Sequence, residues 1–180
     1  MRAALISIRP EWCELIAAGK KTLEVRKSRP KLPLPFKVYI YCTSGAVKRI
    51  AFDEYGDRQI ELVPQKVIGE FVCKKMSATR YFPDYEGNGR NHSLPPRVCR
   101  DACLSREEIE EYLGEKDGYF WHISDLVIYD KPKPLSRFSR CPYPWDCAAC
   151  DLFDGIYMSC DRKIRPPQSW CYVEERNDGK

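Results

Sequence analysis

Three charged residues within one short segment could bind a polar ligand or move a proton. Residues 19–26 read GKKTLEVR and fit the pattern GxKxxExR, with Lys21, Glu24 and Arg26 at the charged positions and Gly19 at the start. An arginine guanidinium offers a fork of donors, and a glutamate accepts hydrogen bonds from an exocyclic amine. Both are base-recognition chemistries, so the segment predicts a pocket for a nucleic-acid base or a nucleoside.

Lys21 also has the chemistry of a nucleophile or a base. A lysine removed from water can lose its proton and attack or deprotonate a substrate, although a neighbouring carboxylate such as that of Glu24 opposes this change. Binding is therefore the favoured role. The alternative without function is a solvated ion pair between Glu24 and Arg26 on the outer face of a sheet, worth about 0.5 kcal/mol.

The segment lies where a helix pattern gives way to a strand pattern. Residues 9–18 predict a helix, because Pro10 suits its first turn and Gly19 can adopt the left-handed conformation that ends it. Residues 22–27 then alternate, with Leu23 and Val25 on one face and the polar residues, Thr22 included, on the other, as in a half-buried strand. The helix end and the strand together would position the charged side chains.

Similar patterns organise the rest of the chain. Ser105 and Glu108 form a capping box that predicts a helix over residues 106–113. Residues 29–35 hold three prolines and predict an ordered extended loop, whereas residues 82–100 predict a long loop without regular structure. Alternating or apolar runs predict strands over residues 37–42, 66–74, 119–129 and 169–174.

Many strands and few helices favour an α+β fold. No strand–helix alternation supports a doubly wound sheet, so we expect a small, partly closed β-barrel with peripheral helices. The 180 residues suit a single domain over residues 1–180, with a cysteine- and proline-rich insertion at about residues 137–167. Hydrophobic residues make up 43% and charged residues 31%, which excludes a disordered chain.

Composition also bounds the cellular setting. No apolar run approaches the roughly 20 residues of a membrane span, and the first ten residues lack the apolar stretch of a signal peptide. We therefore expect a cytoplasmic protein with no membrane partner. The formal net charge of +4 permits a polyanionic ligand without requiring one.

The chain has ten cysteines, which in the absence of a secretion signal indicate thiols or metal ligands rather than disulfides. Cys147 and Cys150 have the C-x2-C spacing of a zinc site, and with Cys141 and Cys160 they could supply four thiolates. A structural zinc is the resulting hypothesis, and four reduced thiols are the alternative.

Aromatic and basic residues could extend a nucleic-acid site. Trp170, in the last predicted strand, could stack on a base, although packing in the core is an equal alternative. His122 is interpreted as a satisfied core residue rather than a proton shuttle. A phosphate-contacting rim or a plain solvated surface would account equally well for Lys27, Arg29, Lys31, Lys48 and Arg49.

The GxKxxExR segment resembles the signature of the ASCH domain family, relatives of the PUA-like barrels, at Gly19, Lys21, Glu24 and Arg26. Residues 6–12, 67–72, 121–129 and 166–174 are also similar to ASCH proteins. The resemblance implies a β-barrel whose motif lines an RNA-binding cleft.

Some small members of the family are amidohydrolases acting on N4-acylated cytidine, and a ribonuclease activity has been attributed to others. In the amidohydrolases the motif lysine is catalytic, with a threonine three residues later and a glutamate elsewhere. Glu24 stands at that threonine position here, and Glu70 is the candidate for the other glutamate.

Three functions follow from the sequence. The first is an RNA- or modified-nucleoside-binding protein that uses the cleft at Lys21, Glu24 and Arg26. The second is an enzyme, a hydrolase with Lys21 and Glu24 catalytic and with Arg26 or Thr22 orienting the substrate. The third is a protein-interaction module in which the motif only stabilises the fold.

Overall fold

The computed structural model describes residues 2–44, 49–52, 59–83, 91–139 and 164–175. Within these residues the chain forms strands, three helices and one 3-10 turn. In chain order these are β1 (Ala3–Ile8), α1 (Pro10–Ala17), β2 (Leu23–Arg26), β3 (Phe36–Cys42), β4 (Arg49–Phe52), β5 (Gln59–Leu62), β6 (Lys66–Cys73), β7 (Met76–Thr79), α2 (Pro96–Ala102), α3 (Arg106–Leu113), β8 (Gly118–His122), β9 (Ser124–Lys133), the turn (Leu135–Arg137), β10 (Phe138–Ser139) and β11 (Trp170–Glu175).

A six-stranded sheet is the largest element of the fold. Its strand order is β10-β11-β1-β3-β6-β9, in which β1 pairs parallel with β3 and the other neighbours are antiparallel. Every residue of β1 is buried, as expected of a central strand covered on both faces. The end of this strand, at Ser7 and Ile8, reaches the site described below.

A second sheet has three strands in the order β2-β8-β7 and packs against the first. A short corner joins the two sheets at two places, since β6 continues into β7 after Cys73 and β8 continues into β9 after His122. Trp121 of β8 packs edge-on against Phe36 of β3, with 5.8 Å between the ring centroids. Strands that turn a corner in this way pass from one sheet to the other and place both sheets around such a core.

Three clusters of buried side chains hold these layers together. One lies between the large sheet, α1 and β8 and includes Ile6, Ile40 and Trp121. A second covers the opposite face of the large sheet around Phe138, and a third joins α2 and α3 to β2 and β8 around Ile109. The third cluster fixes the two short helices beside the motif strand.

The α+β class with peripheral helices is confirmed. No sheet closes on itself within the described residues, so closure of the barrel is not confirmed. The proposed insertion at residues 137–167 lies mostly outside the described ranges and stays a prediction. No helix in the described part of the chain is long and apolar enough to span a membrane.

Most predicted elements are confirmed to within two residues. They are the helices predicted at 9–18 and 106–113 and the strands predicted at 37–42, 66–74 and 169–174.

Two predictions of local structure were wrong. Residues 82–100 are not all loop, because Pro95 and Pro96 occupy the N-cap and first turn of α2, where proline is tolerated. Residues 119–129 are not one strand, because the chain leaves the second sheet after His122 and enters the first at Ser124. The sequence pattern that predicted one strand continues across the corner between β8 and β9, so the corner could not be recognised from it.

The six cysteines of the described residues are free thiols, in agreement with the expectation of thiols rather than disulfides. Burial raises the pKa of the Cys13 thiol, and its hydrogen bond with Cys42 raises that pKa further. The same hydrogen bond lowers the pKa of Cys42. The four cysteines of the zinc hypothesis lie outside the described residues.

Gly69 allows β6 to pair closely with β9, which generates a stability prediction. A Cβ at Gly69 would lie 2.4 Å from the backbone oxygen of Val127, so Gly69→Ala should separate two paired strands and reduce the free energy of unfolding by about 2 kcal/mol. Urea denaturation measures the loss, and a stability of Gly69→Ala within about 0.5 kcal/mol of wild type would contradict the packing account.

Candidate functional site

The turn between α1 and β2 positions the motif. Helix α1 begins at Pro10 and ends at Ala17, and Gly19 follows with φ of +67°, the left-handed conformation that glycine adopts without strain. The N–H groups of Lys20 and Lys21 both donate to the carbonyl oxygen of Leu15, at 2.9 and 3.0 Å. The chain therefore reverses tightly against the helix end, and Lys21 is delivered to the start of β2.

Lys21, Glu24 and Arg26 form one connected cluster of charges. Nζ of Lys21 lies 3.4 Å from Oε2 of Glu24, and Nη2 of Arg26 lies 2.9 Å from Oε1 of the same carboxylate. Glu24 and Arg26 share a face because they are two residues apart in a strand. The three residues are only 3%, 7% and 8% exposed, so the cluster is buried.

Lys21 and Arg26 also donate hydrogen bonds to backbone and side-chain oxygens from distant parts of the chain. Nζ of Lys21 donates to the carbonyl oxygen of Ala102 at 2.7 Å, at the end of α2. Nη2 of Arg26 donates to the carbonyl oxygen of Ser7 at 2.7 Å, and its Nη1 lies 3.4 Å from Oγ of Ser169. The cluster thus joins β1, α2 and the segment before β11.

Not every donor of the cluster has a protein acceptor. Nε of Arg26 is buried and makes no hydrogen bond within the described residues. A buried donor without an acceptor costs on the order of 1–3 kcal/mol, so such groups are uncommon in the absence of a ligand or water. With two cations and one carboxylate, the cluster also carries a formal charge of +1.

The charged cluster lines an open cleft of about 700 Å³. This volume falls within the range of small-molecule sites, roughly 300–1,000 Å³. Two aromatic side chains, Trp12 of α1 and Tyr112 of α3, line it together with Thr43, and Pro167, Gln168 and Ser169 complete the side nearest β11.

The walls of the cleft differ in charge. Glu108 and Glu111 line it from α3, and Arg9 lines it from the start of α1. Glu108 is partly occupied by the capping box, in which its Oε2 accepts from the N–H of Ser105 at 2.7 Å. An acidic helix therefore lies on one side of a cleft that also contains a positively charged cluster.

The alternative of a solvated ion pair between Glu24 and Arg26 on the outer face is contradicted, because the pair forms but both residues are buried. All four residues of β2 are buried. Leu23 and Val25 pack in the cluster with α2 and α3, whereas Glu24 and Arg26 pair with each other and Arg26 donates to the carbonyl oxygen of Ser7. The strand predicted over residues 22–27 is confirmed at Leu23–Arg26, but it is fully rather than half buried. Gly19 forms the turn, whereas Thr22 is exposed, donates its N–H to Asp101 and does not line the cleft.

Other predicted residues lie away from the cleft lining. Trp170 packs against Trp121 at 5.7 Å between ring centroids and donates its Nε1 hydrogen to Oγ of Ser28. Glu70 accepts from Lys37 at 2.6 Å and from the hydroxyl of Tyr129.

His122 is only partly buried, so its assignment to the core was wrong. Its Nε2 lies 3.2 Å from Oγ of Ser77, which gives the ring a hydrogen-bond partner. Partial burial, with the nearby charges of Lys75 and Arg97, lowers the pKa of His122.

Several lining residues were missed by sequence reasoning, notably Ser7, Ser169 and Tyr112. Ser7 and Ser169 meet because the N–H of Ser7 donates to the carbonyl oxygen of Ser169 at 2.9 Å. This contact joins the two ends of the chain and has no local signature. Of the predicted basic rim, Lys27, Arg29 and Lys31 are exposed, while Lys48 and the side chain of Arg49 lie outside the described part.

Comparison with known proteins identifies the fold. Residues 6–87 match the family model of the ASCH domain, which confirms the resemblance predicted from the motif. Similar solved structures include the ASCH protein of Zymomonas mobilis and two point mutants of it, each 21% identical in sequence. The alignments cover 96% of this chain and 87–90% of the solved chains, with TM-scores of 0.54–0.56. No curated protein matches the sequence.

Glu24 generates the stability prediction for this site. Glu24→Ala leaves Lys21 and Arg26 as buried neighbouring cations without their carboxylate, so the free energy of unfolding should fall by roughly 3 kcal/mol. Lys74→Ala is the control, because Lys74 pairs with Asp125 on the surface, where both side chains are more than half exposed. That change should cost less than about 1 kcal/mol. Similar losses in the two variants, measured by chemical denaturation, would contradict the description of a buried cluster.

Proposed function

Because residues 6–87 match the ASCH domain, we propose that this protein binds a nucleic-acid base, in RNA or in a modified nucleoside, within the cleft at Lys21, Glu24 and Arg26. The observation that carries the proposal is the buried Nε donor of Arg26, which has no acceptor in the described residues although its side chain lines the cleft. A carbonyl or ring nitrogen of a base would supply that acceptor.

The groups of the cleft suit a planar polar ligand. Arg26 offers a donor, and each oxygen of Glu24 retains a lone pair beyond its contact with a cation, so the carboxylate can also accept from an exocyclic amine. Trp12 and Tyr112 provide aromatic surface in the same cleft, and stacking contributes about 1–3 kcal/mol per base. A base would use both the polar floor and the aromatic walls.

The contacts of Lys21 favour binding over covalent catalysis. A nucleophilic lysine needs a neutral amine, whereas Nζ of Lys21 donates to the Ala102 carbonyl oxygen and pairs with Glu24, contacts that suit an ammonium ion. The one hydroxyl of the motif, on Thr22, is exposed and does not line the cleft. The hydrolase hypothesis needs a free nucleophile and a nearby hydroxyl, and Lys21 and Thr22 of the motif do not supply them. Glu70 does not line the cleft either.

A structural zinc held by Cys141, Cys147, Cys150 and Cys160 stays a prediction. Those cysteines lie outside the described residues. Nothing in the proposed binding of a base depends on the metal.

Arg26→Lys tests the binding proposal. Lysine keeps the positive charge but has no Nε donor, so affinity for short single-stranded RNA or for ribonucleosides should fall roughly tenfold to a hundredfold. Arg106→Lys is the matched control, because Arg106 is a part-buried arginine that bonds to His92, Leu94 and Glu110 and does not line the cleft. Equilibrium binding, with folding checked by circular dichroism, measures the effect. Equal affinity in wild type and Arg26→Lys would refute the proposed role of the cleft.

Lys21→Ala separates binding from catalysis. Purified wild-type protein incubated with N4-acylated cytidines and with short RNAs should give neither deacylation nor cleavage products by chromatography, because Nζ of Lys21 is engaged by the Ala102 carbonyl oxygen and by Glu24. The control is Lys74→Ala, which removes a surface lysine. Turnover that is present in wild type and in the control but lost in Lys21→Ala would replace the binding proposal with a lysine-dependent hydrolase.

A further inference from the structure

A basic segment leaves the cleft directly after Arg26 and passes a row of aromatic rings. Lys27 places its Nζ 5.0 Å from the ring centroid of Tyr112, which lines the cleft. Arg29 places its guanidinium carbon 5.8 Å from the ring centroid of Tyr119. Cations and aromatic faces thus alternate along a path that starts at the site.

The path is held in place by hydrogen bonds rather than merely solvated. Nε1 of Trp170 donates to Oγ of Ser28 at 2.9 Å, and the N–H of Lys31 donates to the hydroxyl oxygen of Tyr172 at 2.7 Å. Trp170 and Tyr172 also contact each other, with 5.3 Å between ring centroids. Residues 27–31 are therefore fixed on an aromatic surface, while Lys27, Arg29 and Lys31 remain exposed.

Among the residues that the structure describes, no nearby acid neutralises the charges of this segment. Within the described part of the chain no carboxylate forms a salt bridge with Lys27, Arg29 or Lys31. The acidic residues Glu108 and Glu111 lie instead along the α3 wall of the cleft, where they would repel a phosphate. A polyanion that enters the cleft is thus directed toward residues 27–31.

We propose that the ligand is a single-stranded nucleic acid, with one base in the cleft and the adjoining nucleotides along the surface formed by Lys27, Ser28, Arg29, Lys31 and Tyr119. Single strands bind to surfaces that combine cations for the phosphates with aromatic faces for the unstacked bases. A free nucleoside would leave the three cations unused, and a duplex would present no free base faces to the rings. The inference rests on the proposed function of the cleft and adds the polymeric, single-stranded nature of its ligand.

Lys27→Ala/Arg29→Ala tests this surface, with a short fluorescent single-stranded RNA as the probe. If the wild-type protein contacts three phosphates, its affinity for the RNA should fall about 20-fold when the salt concentration rises from about 50 to 200 mM. Each phosphate contact on a single strand contributes about −0.7 to the slope of log affinity against log salt concentration. The double variant should retain one phosphate contact, so its affinity for the RNA should fall only about 3-fold over the same range of salt concentration. Binding of the four free ribonucleosides should be the same in both proteins, because residues 27 and 29 do not line the cleft.

Two further variants serve as controls. Lys27→Arg/Arg29→Lys keeps both charges and should bind the RNA as wild type does. Lys116→Ala/Lys131→Ala removes two exposed lysines outside this surface and should leave the salt dependence unchanged.

The outcomes separate the two proposals. Nucleosides that bind as tightly as the single strand, with the same salt dependence in all variants, would overturn the inference and leave the proposed function standing. Tighter binding of a duplex of the same sequence, or of an acidic peptide, would also overturn it. Failure of nucleosides and RNA alike to bind wild-type protein would refute the proposed function itself.

Discussion

The buried carboxylate of Glu24 pairs with two buried cations, and this pairing constrains the structure around it. A carboxylate, an ammonium and a guanidinium lose most of their hydration when they are more than nine-tenths buried, and their mutual attraction offsets this loss only when the remaining donors and acceptors are paired. The carbonyl oxygens of Ala102 and Ser7 supply part of that pairing. The end of α2 and the end of β1 are therefore structural parts of the site.

The same constraint links stability to function. A cluster with two positive charges and one negative charge, and with the Nε donor of Arg26 unpaired among the described residues, is not electrostatically complete. Residual positive charge and a spare donor disfavour the empty state and favour a ligand that brings acceptors. The exposed cations that follow in the chain extend the positive potential outward, whereas the acids of α3 limit it on one side. Affinity and direction of entry would then both arise from the placement of charge around one strand.

Sequence reasoning succeeded where the signal is local. The capping box of Ser105 and Glu108 marks helix α3, and Gly19 marks the end of α1, because both depend on residues adjacent in sequence. The pairing of Glu24 with Lys21 and Arg26 was also accessible, since spacings of two and three residues bring those side chains together.

The failures have a common physical cause, which is contact between distant segments. Nothing near Ser7 in the sequence indicates that it meets Ser169, and nothing near Glu24 shows that α2 and α3 cover its strand. That cover buries the face of the strand that carries Leu23 and Val25. On the other face, the carbonyl oxygens of Ser7 and Ala102, from distant segments, accept hydrogen bonds from the charged cluster and help to bury it. The prolines that begin α2 are equally typical of a loop, so only packing against β2 reveals the helix.

Heteronuclear NMR of the arginine Nε–H groups would test the central claim most directly. The Arg26 Nε–H signal, assigned by its loss in Arg26→Lys, should shift progressively as short single-stranded RNA is added and reach its limit as the protein saturates. This result would mean that the ligand supplies the acceptor that the described residues lack. Saturable RNA binding that moves other signals while the Arg26 Nε–H signal stays unchanged would contradict the account and place the nucleic acid elsewhere on the molecule.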